Sequence, residues 1–499
     1  MKGKCYLVGG GPGDPGLLTV KGRECLEKAD VLIYDALSSA EFLQWTPKEC
    51  EKIFAGKRAA DHAIPQDGIN ALIVEKAKEG KIVVRLKGGD PMIFGRGGEE
   101  AAELAEAGVP FEIVPGISSA IGGPAYAGIP VTHRDHCSQL TLFTGHEDPT
   151  KEESSLDYAH LAATPGTRVF LMGVARLREI TGELIKHGAK AETPMALVRW
   201  ATTGKQKTLV GTLGTIADKA EEVGFKSPAV AVIGDVVLER EKISWFENKP
   251  LLGKRVVVTR TREQAGELSV KLRELGADVV ELPTIRIEHP TDVEEFADLV
   301  SHVHTYDWLV FTSPNGAQRF FDAFFLAYKD ARSLGGGRIA AIGPSTAKKI
   351  AEYRFTTDLL PEKYVAEGLV ESLKKEQVEN QTILWVKAEE TRTVISDELT
   401  KLGAIVDECV AYRTVPETDD PTGAAAKFEA EGADFVTFTS ASTVENFLAM
   451  GLTWPEECQT ASIGPITSQA LQDKGMKVGV QAAKSDIEGL VEAIVSACS

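Results

Sequence analysis

Lys81 to Gly98 reads KIVVRLKGGDPMIFGRGG, a short apolar run that stops against a turn of two Gly, an Asp and a Pro. Ile82, Val83, Val84 and Leu86 have the composition of a strand buried on both faces. Gly88 and Gly89 free the backbone for positive φ and let a ligand approach the chain closely. Asp90 places a charge where the strand ends, and Pro91 stiffens the exit. In an open α/β sheet, ligands sit at the carboxyl ends of strands. The stretch thus reads as a strand feeding a ligand loop, although GGDP alone is also the sequence of a plain turn.

Working outward, the chain begins with a second loop of the same kind. Lys4 to Val8 predicts a strand, Gly9 to Gly16 (GGGPGDPG) a glycine-proline loop, Thr19 the cap of a helix to about Ala29, and Val31 to Tyr34 the next strand, ending at Asp35. Gly11, Gly13 and Gly16 fit GxGxxG, so a dinucleotide site has to be weighed. Such a loop points backbone N–H groups at a pyrophosphate, and Pro12 and Pro15 remove two of those donors. The loop suits a ligand without phosphate.

A helical pattern over Ile64 to Lys78 leads into the strand at Lys81, and a helix through about Ala107, a strand at Phe111 to Val114 and a loop-to-helix start at Pro115 to Ser119 follow it. A second domain begins near here, with strands expected at Leu140 to Thr144, Val169 to Met172, Met195 to Val198, Lys207 to Val210 and Ala229 to Ile233. The pair His133 and His136 lacks Cys or Glu partners at ligand spacing, so no metal is expected.

Composition bounds the function. A chain of 499 residues has room for roughly three or four domains. The start, MKGKCYLVGG, reads as a first strand and not as a signal peptide, and no apolar run reaches the roughly 20 residues of a membrane span. Seven cysteines, none in a CxxC, read as reduced thiols, and the expected location is the cytoplasm. A net charge of −18 argues against nucleic-acid or anionic-membrane surfaces, while leaving room for a small anionic ligand held by local Arg and Lys.

The motifs GGGPGDP, YD, GKR, RLKGGDPMIFGRGGEE, VPGISSA, AYAGIPVTHRD and LMGV occur in this order over about 240 residues. From Lys4 to about Leu238 the chain strongly resembles the uroporphyrinogen-III C-methyltransferases of the tetrapyrrole methylase family. The resemblance implies two α/β domains, here 1–115 and 116–240, with S-adenosylmethionine in the cleft between them and a homodimeric assembly. Carried over by motif, the cofactor contacts are Pro12, Gly88, Gly89, Asp90, Ile93, Ser118, Ser119, Met172 and Ala201. Members often have Gly where this chain has Ala201, and Tyr where it has His136. Asp35 and Lys57, of YD and GKR, match the positions that the family assigns to proton transfer. Those residue types suit the chemistry, because an electron-rich pyrrole carbon needs no nucleophilic side chain, only placement and management of a proton. Taken singly, Asp35 is also a turn acid and Lys57 a surface charge.

Glu239 to Pro250 (EREKISWFENKP) is charged and closes on Pro, as a domain boundary does, and 241–250 reads as a linker. Beyond it the chain repeats itself. Phe311-Thr312-Ser313 recurs as Phe438-Thr439-Ser440, and Ile342-Gly343-Pro344 as Ile463-Gly464-Pro465, roughly 120 to 130 residues apart. Two similar α/β lobes follow, whose strand-end loops carry hydroxyls and free N–H groups at helix starts, suited to carboxylates.

The succession VTRTREQAGELS, LPTI, FTSPNGA, AIGPSTA, VAEGLVE, AYRT, FTSASTVENF and SIGPITS resembles uroporphyrinogen-III synthase from Gly253 onward. The resemblance implies interleaved lobes, placed at 251–286 plus 413–499 and at 287–412. It also implies closure of hydroxymethylbilane with inversion of the last ring, work that is mainly conformational. Tyr412 matches the family's Tyr associated with loss of the hydroxyl, and on its own is equally a core aromatic. Thr312, Ser313, Ser345, Ser440, Ser462 and Thr467 are candidate carboxylate donors. Lys387-Ala388-Glu389 stands where members often carry Arg-Gly-Glu.

The reading is an α/β protein in which the C-terminal half makes uroporphyrinogen III and the N-terminal half methylates it twice to precorrin-2, toward sirohaem or cobalamin. The alternative is a methylase of another tetrapyrrole or of a macromolecule, fused to a two-lobed binding module without activity.

Overall fold

The computed structural model describes residues 3–36, 40–56, 64–146, 156–260, 262–417, 420 and 422–498. Lys57 lies outside the described residues. Among the described residues, strands group into four five-stranded sheets, two in each half of an α/β chain.

The first sheet is wholly parallel, and the strand Ile82–Lys87 lies between Lys4–Gly9 and Val31–Tyr34. Both faces are covered, which is why its strands read as continuous apolar runs. Cys5, Leu7, Val31, Ile33 and Val83 face Ile69, Ile73 and Ala77 of the helix Gln66–Lys78. Tyr6, Val8, Leu32, Val84 and Leu86 face Leu26 and Phe42 on the other side. Thr19 caps the helix Val20–Leu26, its hydroxyl accepting from the Gly22 N–H at 3.0 Å. That helix ends before the expected Ala29, because Glu27 and Lys28 continue only as a turn.

The second sheet is mixed. Leu140–Thr144 and Thr167–Leu171 run parallel, and Ala229–Ile233 pairs antiparallel with both Thr167–Leu171 and Pro194–Arg199. Lys207–Thr212 closes the edge.

The second half folds with its chain order interleaved. The strands Arg255–Val258, Asp278–Glu281, Phe435–Phe438, Gln459–Ser462 and Val480–Gln481 form one parallel sheet. Ile285–Glu288, Trp308–Phe311, Arg338–Ala341, Thr382–Ala388 and Ile405–Pro416 form the other. Ile285–Glu288 runs antiparallel to the end of Ile405–Pro416, with Ile285 opposite Pro416. The two chain crossings between lobes are therefore one hydrogen-bonded ribbon, and Ile285, Arg286 and Arg413 to Pro416 belong to the sheet of the intervening lobe.

Glu239 to Pro250 is not a solvated tether. Tyr126 packs on the rings of Trp245 and Phe246, and Glu247 accepts from Gln206, Thr208 and Arg240. The Arg240–Glu247 pair and the His136–Glu239 contact fix the exit from the second sheet. The two halves then meet directly: the Gly253 N–H donates to the Gly204 carbonyl at 2.9 Å. A Cβ on Gly204 would stand 2.2 Å from the Asp278 nitrogen, so the halves dock backbone to backbone at a position open only to glycine. Among the described residues no helix is long and apolar enough to cross a membrane.

Candidate active site

The glycine loops that follow the neighbouring parallel strands Lys4–Gly9 and Ile82–Lys87 are zipped together. Gly11 and Gly89 form an isolated antiparallel bridge, with N–H to carbonyl distances of 3.1 and 2.7 Å. Gly89 takes φ +68, and a Cβ on Gly116 would lie 2.3 Å from the Gly89 carbonyl oxygen. Here the glycines are required by close approach of backbones. Asp90 holds this arrangement. One carboxylate oxygen accepts from the Met92 N–H at 2.7 Å and the other from the Gly116 N–H at 3.0 Å. Its charge thus organises the loop, and the backbone of Gly88 and Gly89 is left to line a cleft.

These loops form one side of a cleft of ≈ 1640 Å³ that collects Pro12, Gly88, Gly89, Asp90, Ile93, Ser118, Ser119, Met172 and Ala201, together with Asp35. Ser118 caps the helix Ser119–Tyr126, its hydroxyl accepting from the Ala120 N–H at 3.3 Å. The Pro12 ring packs against Gly122 of that helix, and Ala201 packs against Gly123. Ala201 is 7% exposed, so its methyl fills the helix contact. The loop of Asp14 is tied to the second domain: its N–H donates to Thr202 Oγ1 at 2.9 Å, and its carboxylate accepts from Tyr126 OH at 2.7 Å.

The lining is partly apolar and open. Ile93, Phe94, Met172 and Trp200 remain between 38% and 50% exposed. Phe94, Arg96, Met172, Trp200 and Thr202 all take positive φ without being glycine, and all line the cleft. Such strain persists where surrounding structure enforces it, and it concentrates at ligand sites. A cradle of glycine backbone, few N–H donors near Pro12 and an apolar wall fits S-adenosylmethionine, which carries apolar surface and no phosphate.

Behind Asp35 lies a buried charge cluster. Arg85 Nη2 is 3.5 Å from Asp35 Oδ2, and its Nε is 3.2 Å from Glu100 Oε1, which also accepts from Lys87 Nζ at 2.8 Å and Gln66 at 3.1 Å. Burial, with the nearby Arg85 charge, pushes the Lys87 ammonium below its usual range. Glu100 is 1% exposed, so it shares a desolvated site with Arg85 and Lys87 in which each needs the others, while Asp35 stands at the partly exposed rim. Two basic residues alternating in an otherwise apolar strand were the signal in the sequence, because a strand buried on both faces admits them only when paired.

His136 stands where the family often has Tyr, and its Nε2 is 2.8 Å from Glu239 Oε1. The ring is thereby directed at the domain exit and not at the cleft lining.

In the second half, the structure brings Tyr412 to Ser313. Their hydroxyls lie 2.9 Å apart, while Ser313 also caps the helix Pro314–Ala327 by accepting from the Gly316 N–H at 2.9 Å. Tyr412 is 6% exposed, and burial raises its phenol pKa, so it stays protonated. Thr312 accepts from Trp385 Nε1 at 3.2 Å. Ser345 is exposed in the first turn of Pro344–Glu352. Ser440 caps Ala441–Ala449 with a capping box and lies 2.9 Å from Ser442. Ser462 and Thr467 are drawn inward, at 0% and 3% exposure, with the Ser462 hydroxyl 2.6 Å from Ser468. Their hydroxyls serve the lobe's own packing in this form of the molecule.

The sequence pattern of the tetrapyrrole (corrin/porphyrin) methylases matches residues 4–217, and that of uroporphyrinogen-III synthase HemD matches residues 266–492. The chain is 39% identical over 490 residues to the porphyrin biosynthesis protein HemD of Ruminiclostridium josui, covering 98% of this chain and 97% of that protein. It is 44% identical over 332 residues to the uroporphyrinogen-III C-methyltransferase of Bacillus subtilis, covering 66% of this chain and 68% of that protein. It is 55% identical over 235 residues to the S-adenosyl-L-methionine-dependent uroporphyrinogen III methyltransferase of Methanosarcina barkeri, covering 47% of this chain and 92% of that protein.

Proposed function

The chain belongs to the tetrapyrrole methylases through its N-terminal half and to the uroporphyrinogen-III synthases through its C-terminal half, and on that premise we propose that it performs two consecutive reactions. The C-terminal half cyclises hydroxymethylbilane to uroporphyrinogen III with inversion of ring D. The N-terminal half methylates that product twice, giving precorrin-2. The observation that carries the reading is that both families lie end to end in one chain, matched over nearly its whole length by a relative that is itself a porphyrin biosynthesis protein.

In the N-terminal half, Pro12, Gly88, Gly89, Asp90, Ile93, Ser118, Ser119, Met172 and Ala201 hold the cofactor. S-adenosylmethionine supplies the methyl group as a sulfonium electrophile. Asp35, held by Arg85 at 3.5 Å, accepts the proton that the methylated carbon framework must release, and Lys57 shares that proton management. The apolar wall of Ile93, Phe94, Met172 and Trp200 excludes water from the reacting carbon.

In the C-terminal half, Ser313 orients the Tyr412 phenol, which donates to the departing hydroxyl. Thr312, Ser345 and Ser440 offer hydroxyls at helix starts to substrate carboxylates, and Ser462 and Thr467 join them only if the lobe repacks. The protein works in the cytoplasm as a homodimer formed through the methylase half.

Mass spectrometry of products from hydroxymethylbilane tests the whole reading. Without S-adenosylmethionine the product is uroporphyrinogen III, and with it a dimethylated tetrapyrrole. Release of uroporphyrinogen I alone, or no mass gain with the methyl donor, would overturn it.

A further inference from the structure

The cleft that holds the methylation residues does not end at the methylase half. Its lining continues onto the helices Arg262–Glu274 and Ala424–Glu431 of the synthase half, through Val270, Arg273 and Lys427. The total, ≈ 1640 Å³, exceeds the roughly 300 to 1,000 Å³ of a site for one small ligand. Apolar surface is offered from both halves, with Val20 at 78% and Val270 at 51% exposure.

The charges at the seam are unevenly partnered. Asp278 accepts from Arg255 at 2.7 Å, and Glu431 from Arg255 at 2.5 Å and Lys205 at 2.6 Å. Lys427 reaches Asp278 at 3.8 Å, beyond hydrogen-bond distance, and feels Glu431 and Glu41 at longer range. Among the described residues Lys427 thus lies within hydrogen-bond distance of neither Asp278 nor Glu431, while Arg273 along the same lining is shared by Glu41 and Glu281. Lys249, also in the lining, lies over the rings of Trp245 and Phe246 at 5.0 Å. Burial, and repulsion from Lys205 and Arg255, lower the Lys427 pKa, so an arriving anion would favour its charged form. Asp278 begins its strand, which puts this cluster at the amino edge of the lobe's sheet, whereas Ser462 ends its strand and Ser440 follows the carboxyl end of its own. The cluster is therefore separate from the helix-start hydroxyls of the cyclisation half.

We propose that the synthase half completes the methylation site: Lys427, with Lys249 at the junction, binds carboxylates of the tetrapyrrole that the methylase half methylates. The inference rests on the reading of the cleft as the methylation site. An eight-carboxylate macrocycle, larger than the cofactor, brings anions to these lining ammonium groups, and the extra volume accommodates it.

The test uses the full chain. Lys427→Gln should raise KM for uroporphyrinogen III in methylation at least about fivefold, with kcat, S-adenosylhomocysteine affinity and the cyclisation rate all within about twofold of the parent. Lys427→Arg should restore most of the loss. Intact cyclisation reports that the lobe is folded, and direct binding of uroporphyrinogen III to the S-adenosylhomocysteine-loaded protein gives a second readout. An unchanged KM in Lys427→Gln would overturn the proposal while leaving methylation itself established. Absence of methylation in the parent chain would instead overturn the reading on which it rests.

Discussion

Arg273 Nη2, in the synthase half, lies 2.6 Å from Glu41 Oε1, in the methylase half, and 3.2 Å from Glu281 Oε1 of its own lobe. One guanidinium therefore satisfies a carboxylate on each side of the junction. Burial pushes the Glu41 carboxyl up to about 7, against the opposing pull of Arg273.

This makes the junction sensitive to pH. From about 4.5 to about 7, the folded protein holds a proton on Glu41 that the unfolded chain has released, so stability is full below that window and declines as pH rises through it. The change is on the order of 3 kcal/mol at most. Glu41→Gln should flatten this part of the Tm-against-pH curve, as read by calorimetry. An identical slope in parent and variant would remove Glu41 as its source.

Asp35→Ala takes from Arg85 one of its two carboxylates and removes the proposed proton acceptor. Methylation should slow by at least about 100-fold, the usual cost of losing a positioned base, and Lys57→Ala should do likewise. Cyclisation should be untouched, and S-adenosylhomocysteine affinity should stay within a few-fold. Methylation within a few-fold of the parent would take these residues out of the mechanism.

For Tyr412→Phe a smaller effect is expected, because closure of the bilane is mostly a matter of conformation. Ser313 keeps its bond to the Gly316 N–H, so the structural loss is one hydroxyl pair, about 1 kcal/mol. The fraction of uroporphyrinogen I should rise modestly. If it stays at the parental level while Tm falls by the expected few degrees, Tyr412 is a packing residue.

Cutting the chain after Pro250 should give two folded pieces that still associate, through Gly204 against Asp278, Lys205 with Glu431, and Glu41 with Arg273. Because the side-chain contacts are ionic, the association should weaken with salt. Sedimentation at low and high ionic strength measures this. Two pieces that never associate at low salt would mean that the docking depends on the covalent connection.

Much of the local structure was legible in the sequence because it depends on neighbours along the chain. The strands Val31–Tyr34, Phe111–Val114, Leu140–Thr144 and Ala229–Ile233 fall where apolar runs and turn residues place them, and Thr19 caps its helix as its type and position require. Gly88, Gly89 and Asp90 declared a turn at the strand end, which lines the cleft, and the repeat in the second half declared two lobes. Tertiary structure alone decided what depends on partners distant in sequence. Arg85 and Lys87 are tolerable in a buried strand only because Glu100 and Asp35 come beside them, and Ser462 turns inward because Ser468 is there to meet it. The charged stretch before Pro250 read as a linker at a domain boundary, and Tyr126, Gln206 and Thr208 are folded to receive it. The docking of the two halves, with Gly204 on Asp278 and Arg273 on Glu41, belongs to the same class: desolvation makes each such charge or backbone contact favourable only when its partner has already been brought within about 3 Å, and no local pattern encodes that distance.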